Sequence, residues 1–108
     1  MSKYRAVATT VNGIKFHSLG ESRRYQALEL LQAAGEIHSL GLQVKYPLVV
    51  NGVKIADYVC DFEYFDVRKG AAVTEDYKGV RTAAYNLKKK LMLALYGITI
   101  YETGKDDL

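Results

Sequence analysis

Asn51-Gly52 constrains this chain more than any other dipeptide in it. It joins Leu40 to Val50 and Val53 to Asp66, two long runs that read as strands. Asn and Gly both tolerate positive φ, which a two-residue type I′ turn needs at both central positions, so the runs must fold back on each other as a hairpin. Asn12-Gly13, flanked by Tyr4 to Thr10 and Gly13 to Phe16, predicts a second hairpin at the N-terminus, over residues 1–16.

Between the hairpins, Ser18-Leu19-Gly20-Glu21 opens a helix. Tyr25, Leu28, Leu31 and Gln32 follow at helical spacing, and Ala34-Gly35 closes it. After the long hairpin, Arg68-Lys69-Gly70 turns into an Ala71–Lys78 strand, and Gly79 to Arg81 is a short connection. Thr82 through Tyr96 forms a second helix with Tyr85, Leu87, Leu91, Met92, Leu95 and Tyr96 facing inward. Gly97 ends it, Ile98 to Glu102 is a last strand, and residues 103–108 are a frayed tail. The order is hairpin, helix, three meandering strands, helix, strand. It predicts one α+β or α/β domain over 1–108, with a central mixed sheet. The step from Ala71 to Tyr101 is long enough for a parallel crossover.

Composition narrows the function classes. At 108 residues, with 49% hydrophobic and 25% charged, the chain is an ordinary globular domain. No apolar run approaches the ~18 residues of a membrane span, and the start lacks a signal-peptide core, which points to the cytoplasm. A single cysteine, Cys60, excludes an internal disulfide and a zinc cluster, and its apolar strand predicts an inert buried thiol. The net charge of +3 is modest, but Arg23-Arg24 and Lys88-Lys89-Lys90 are clustered. Such clusters suit a phosphate backbone and suit solvation equally well.

The chemistry concentrates on the strands. Asp76 and Lys78 share a strand face, because side chains alternate with period two. A carboxylate beside an ammonium can hold a divalent cation and stabilise an attacking hydroxide. Yet 12 acids and 10 lysines make about one acid-x-Lys by chance. On the preceding strand Asp57, Val59, Asp61 and Glu63 share a face, and three acids there repel unless a cation or solvent relieves them. Oxygen ligands favour magnesium or manganese. Glu21 is a third acid for such an ion, or a capping-box residue reaching back to Ser18. Tyr85 and Lys88, three apart on the second helix, suit a phosphate contact. Gln43 faces either the site or water. His17 and His38 lack partners at ligand spacing.

The motifs Phe16-His17-Ser18-x-x-Glu21-x-Arg23-Arg24-Tyr25, Leu42-Gln43, Asp61-Phe62, Glu75-Asp76-Tyr77-Lys78-Gly79 and Tyr85-x-Leu87-Lys88-Lys89-Lys90-Leu91 occur in that order. From about Tyr4 to Tyr101 the chain resembles a family of small phage and prophage proteins, similar to a minimal branch of the PD-(D/E)XK nuclease superfamily. The resemblance implies a restriction-endonuclease-like core and magnesium-dependent cleavage of DNA, with manganese able to substitute. It implies metal ligation by Asp61, Asp76 and Glu21, assistance by Lys78, and DNA or phosphate contacts from Tyr85, Lys88, Arg24 and Gln43. Cys60 stands where the superfamily's name has Pro, and a Tyr at position 77, facing away from the site, should be tolerated. Some phage members of this type resemble Holliday-junction resolvases that act as homodimers on branched DNA. The rival expectation is a DNA-binding or assembly protein that keeps the fold without catalysis. A purely structural oligomer would need large exposed apolar patches, which the sequence pattern does not suggest.

Overall fold

The computed structural model describes residues 9–78 and 80–104. Its elements are β1 (Thr9–Val11), β2 (Ile14–Phe16), α1 (Leu19–Ala33), β3 (Ile37–Val50), β4 (Val53–Asp66), β5 (Ala71–Tyr77), α2 (Ala83–Tyr96) and β6 (Tyr101–Thr103). The fold is α+β: two helices, a β1-β2 hairpin and a mixed sheet of order β3-β4-β5-β6. The first three sheet strands meander antiparallel, and β6 joins β5 in parallel after α2 crosses over.

Both turns form as their residues require. Asn12 and Gly13 take φ of 52° and 77°, and Asn51 and Gly52 take 50° and 79°, the two positive values of a type I′ turn. Ser18 caps the first helix as expected, and Thr82, expected inside the second helix, caps it instead. Ser18 Oγ accepts from Glu21 N at 3.1 Å, and Thr82 Oγ1 accepts from Tyr85 N at 3.1 Å. Gly97, at φ 68°, ends α2 in the left-handed conformation.

Two buried clusters share β4. Phe62 and Tyr64 join Phe16, Tyr25, Leu28, Ile37 and Val73 beneath α1. Tyr58 and Cys60 join Leu48, Tyr85, Met92 and Ile100 beneath α2. The boundary falls at Asp61, between Cys60 and Phe62, which seats a carboxyl at the seam of two cores. Cys60 is fully buried, and burial pushes its thiol up to about 12, the inert state expected.

Several expectations are corrected. On α2 only Tyr85 and Met92 are buried, whereas Leu87 is 56% exposed and Leu95 and Tyr96 face solvent as well. The reason lies beneath the helix: β5 pairs with β4 only from Phe62 to Asp66, so α2 lies over a two-stranded ribbon rather than a broad sheet. Leu31 on α1 is likewise exposed. Large apolar side chains therefore do reach the surface, among them Val49, Val53, Ile55 and Val59 of the ribbon. The last strand spans Tyr101–Thr103 rather than Ile98 to Glu102, because Ile98 and Ile100 turn into the α2 core. The first three residues of β3, Ile37–Ser39, extend the hairpin beyond the expected start at Leu40. Residues 4–8 of the expected first strand, Gly79 and residues 105–108 of the tail lie outside the described residues.

Candidate active site

The β4–β5 register pairs Phe62 with Glu75, so Asp61 and Asp76 stand across from each other one step along. The β3–β4 register puts Gln43 across from Asp61, between the pairs Leu42–Phe62 and Val44–Cys60, and β6 pairs Glu102 with Asp76. One polar row, Gln43–Asp61–Asp76–Glu102, thus crosses all four strands.

Asp61 and Asp76 bring their carboxyls into hydrogen-bonding contact. Asp61 Oδ2 also accepts from Tyr77 N at 2.8 Å. Asp76 is buried, and its Oδ2 takes a bond from the Tyr58 hydroxyl at 2.5 Å and an ion pair from Lys78 Nζ at 3.4 Å. Lys78 Nζ lies 4.1 Å from the centre of the Tyr85 ring, a cation–π seat. The Tyr85 hydroxyl donates to Glu102 Oε2 at 2.6 Å, and Arg81 and Lys89 bind the same carboxylate at 2.8 and 3.0 Å. Burial alone would raise Glu102, but these three partners hold it down at about 2.

Glu21 is buried in the first turn of α1. Burial raises its carboxyl, the charge of nearby His17 opposes this, and the Asp76 charge raises it further. Asp61 is pushed up to about 8, first by burial, then by the hydrogen bond and charge of Asp76, then by the charge of Glu21. Glu21 therefore lies within electrostatic reach of the Asp61–Asp76 pair. Among the described residues no three Asp, Glu, His or Cys side chains converge closely enough to form a ready-made metal cage. The Asp61–Asp76 pair is nevertheless a fitting donor set. Two carboxyls in contact retain a proton near neutral pH, and a hard divalent cation with a preference for oxygen can take that proton's place.

An open cleft of about 280 Å³ gives access, lined among others by Asp76, Lys78, Asp57, Thr82, Tyr85 and Lys88. A family profile described as "Protein of unknown function (DUF1064)" matches residues 1–100. The chain belongs to that family. No curated protein and no solved structure matches it.

Of the residues singled out in the sequence, Asp61, Asp76 and Lys78 are in contact, with Glu21 within electrostatic reach. Tyr85 is beside them, but its hydroxyl is committed to Glu102. Lys88 is half-buried at the cleft. Gln43 is exposed, in the left-handed region at φ 51°. Arg24 lies elsewhere: its Nε and Nη2 grip Glu75 at 2.6 and 2.9 Å, so its guanidinium holds α1 to β5 instead of facing a phosphate. Glu75 is fully buried and takes further bonds from Tyr64 and Thr103. The other acids of the β4 face are also engaged, Asp57 by Lys54 at 2.9 Å and Glu63 by the hydroxyls of Tyr46 and Thr74.

Tyr58 and Glu102 were missed in the sequence. A tyrosine among apolar strand residues reads as core, and Glu102 reads as a strand-end acid. Only the sheet register could have found them. Tyr77 makes a contact that the sequence does not reveal. A Cβ on Gly20 would meet its hydroxyl at 2.1 Å, so the phenol packs on the start of α1, one residue from Glu21.

Proposed function

We propose that this protein is a magnesium-dependent DNA endonuclease with a restriction-endonuclease-like core, and that it acts on branched DNA in the manner of a PD-(D/E)XK resolvase. The observation that supports this most is the pairing of Asp61 with Asp76, whose carboxylate lines an open cleft and lies 3.4 Å from the Lys78 ammonium. Asp61 and Asp76 would hold the cation, with Glu21 beside them. A divalent cation bound there would supply Lewis-acid polarisation of a phosphate oxygen and a water acidic enough to attack the phosphorus, with the ester oxygen on the opposite side leaving.

The chain's own groups do the remainder. Tyr58 and Lys78 occupy Asp76 Oδ2 and fix that carboxylate's orientation. The Tyr77 amide fixes Asp61 in the same way. Lys78 offsets negative charge that builds on a phosphate in the transition state, in a partly buried setting where such charge counts for more than in water. The Tyr85 ring, anchored by Glu102, keeps the ammonium in place. A homodimer would set two such sites on opposed strands of a junction.

The test is cleavage of a four-way junction and of linear duplex with magnesium, by the full chain and by its Asp76→Ala and Lys78→Ala variants. The wild type should cut the junction preferentially. Asp76→Ala should abolish cutting, and Lys78→Ala should slow it by about 10²–10³-fold, the usual effect of removing one transition-state donor. Cutting that survives Asp76→Ala would refute the mechanism. Equal cutting of both substrates would refute the junction preference, and binding without cutting would favour the non-catalytic rival.

A further inference from the structure

The long hairpin outgrows the sheet it belongs to. β3 and β4 each run 14 residues, yet β5 covers β4 only from Phe62 to Asp66. The remainder is a two-stranded ribbon, about 25 Å long at ~3.3 Å per residue. The outer edge of β3 has no strand neighbour among the described residues. On this ribbon the ammoniums of Lys54 and Lys45, together with Lys88 from α2, all act on one carboxylate, Asp57. Lys54 binds it directly at 2.9 Å. Three cations from three elements stand against one anion, two more than Asp57 balances, and Asp57 and Lys88 line the cleft. A structural ion pair would need only Lys54.

The strip has the right dimensions for a charged polymer. Lys54 lies beside Val49 in the register, four residues along β3 from Lys45. That is ~13 Å along the ribbon, or about four rises of a nucleic-acid strand at ~3.4 Å each. Lys45 and Lys54 are exposed, and Lys88 carries the strip onto α2 and into the cleft that holds Asp76 and Lys78. The lining also indicates which form of polymer fits. Proteins that hold single strands stack bases on exposed rings. The two tyrosines of this cleft, Tyr58 and Tyr85, are buried with both hydroxyls bound to carboxylates. The cleft offers charge without a stacking platform.

We propose that Lys45, Lys54 and Lys88 form a docking strip for the phosphate backbone of double-stranded DNA, which leads the duplex from the β3–β4 ribbon to the Asp61–Asp76 site. The proposal rests on the nuclease reading for its substrate, but it is tested by binding alone.

The experiment measures fluorescence anisotropy of a labelled duplex with the full chain, without divalent cation, over a range of salt. The triple variant Lys45→Gln/Lys54→Gln/Lys88→Gln should bind at least tenfold more weakly at low salt. Its slope of log affinity against log salt should be shallower by about 2.7, or about 0.9 per lost phosphate contact. The matching triple Lys→Arg variant should keep the wild-type slope. If the Gln triple fails to fold, each single Lys→Gln variant should lose about 0.9. An unchanged slope in the Gln variants, or tighter wild-type binding to a single strand than to duplex, overturns the proposal. A chain that binds in this way and cuts nothing keeps the strip and removes the nuclease reading. One that cuts with an unchanged slope does the reverse.

Discussion

Asp61 carries a proton balance that can be tested by stability. An unfolded Asp titrates near 3.9, while the folded carboxyl is pushed up to about 8 by burial and by Asp76. Between those values the folded state binds more protons than the unfolded one. Stability from this group is therefore full near pH 4 and falls as pH rises toward 8. Glu21, also raised, acts in the same direction. In chelator, the wild-type Tm should fall from pH 5 to pH 8, and Asp61→Asn should flatten that fall. At pH 8 the variant should melt higher, by about 4–8 °C for each kcal/mol relieved. A thermal melt at both pH values checks this, and parallel curves for the two proteins would show that Asp61 is not strained. Asp76 and Lys78 were legible in the sequence because period-two alternation fixes a shared face. Tyr58 was not, because its hydroxyl finds Asp76 only through the register of the folded strands.

At the scale of elements, turns and caps were the most legible features. Asn12-Gly13, Asn51-Gly52, Ser18 and Gly97 each do locally what their backbone or side-chain chemistry favours. The inward face of α2 was less legible, since periodicity tells which residues align but not how wide a surface lies beneath them. Leu87 and Leu95 align with the apolar stripe and still overhang the ribbon. The contact of Gly20 with Tyr77 was invisible too, being a close approach of residues far apart in the chain. It yields a sign test. Gly→Ala within a helix ordinarily stabilises by up to about 1 kcal/mol. Here the new Cβ would sit 2.1 Å from the Tyr77 hydroxyl, so Gly20→Ala should destabilise, by about 1–3 kcal/mol in denaturant unfolding. Adding Tyr77→Phe should recover part of the loss. A stabilised Gly20→Ala would mean that α1 does not rest on Tyr77.

At the scale of the molecule, the α+β order and the mixed sheet followed from strand and helix signals, whereas the tie across the elements did not. Arg24 reads in the sequence as one of a basic pair. In the fold it is the partner that neutralises fully buried Glu75, which Tyr64 of β4 and Thr103 of β6 also hold. One carboxylate thereby links α1, β4, β5 and β6. Removing one member of a buried pair leaves an uncompensated charge and costs about 3–5 kcal/mol, a large part of the ~5–15 kcal/mol that stabilises a domain. Arg24→Ala should therefore lower stability by about that amount in denaturant unfolding. A loss of DNA affinity with stability intact would return Arg24 to the phosphate role.

Asp61 and Asp76 together are proposed to form a cation site. Titrating manganese into the full chain at pH 7 by calorimetry, in two buffers of different ionisation enthalpy, tests it most directly. Binding should be saturable and release about one proton per ion, because the cation displaces the proton the carboxyl pair retains. Both the binding and the proton release should disappear in Asp76→Asn. Unchanged binding in that variant, or no saturable binding by the wild type, would contradict it.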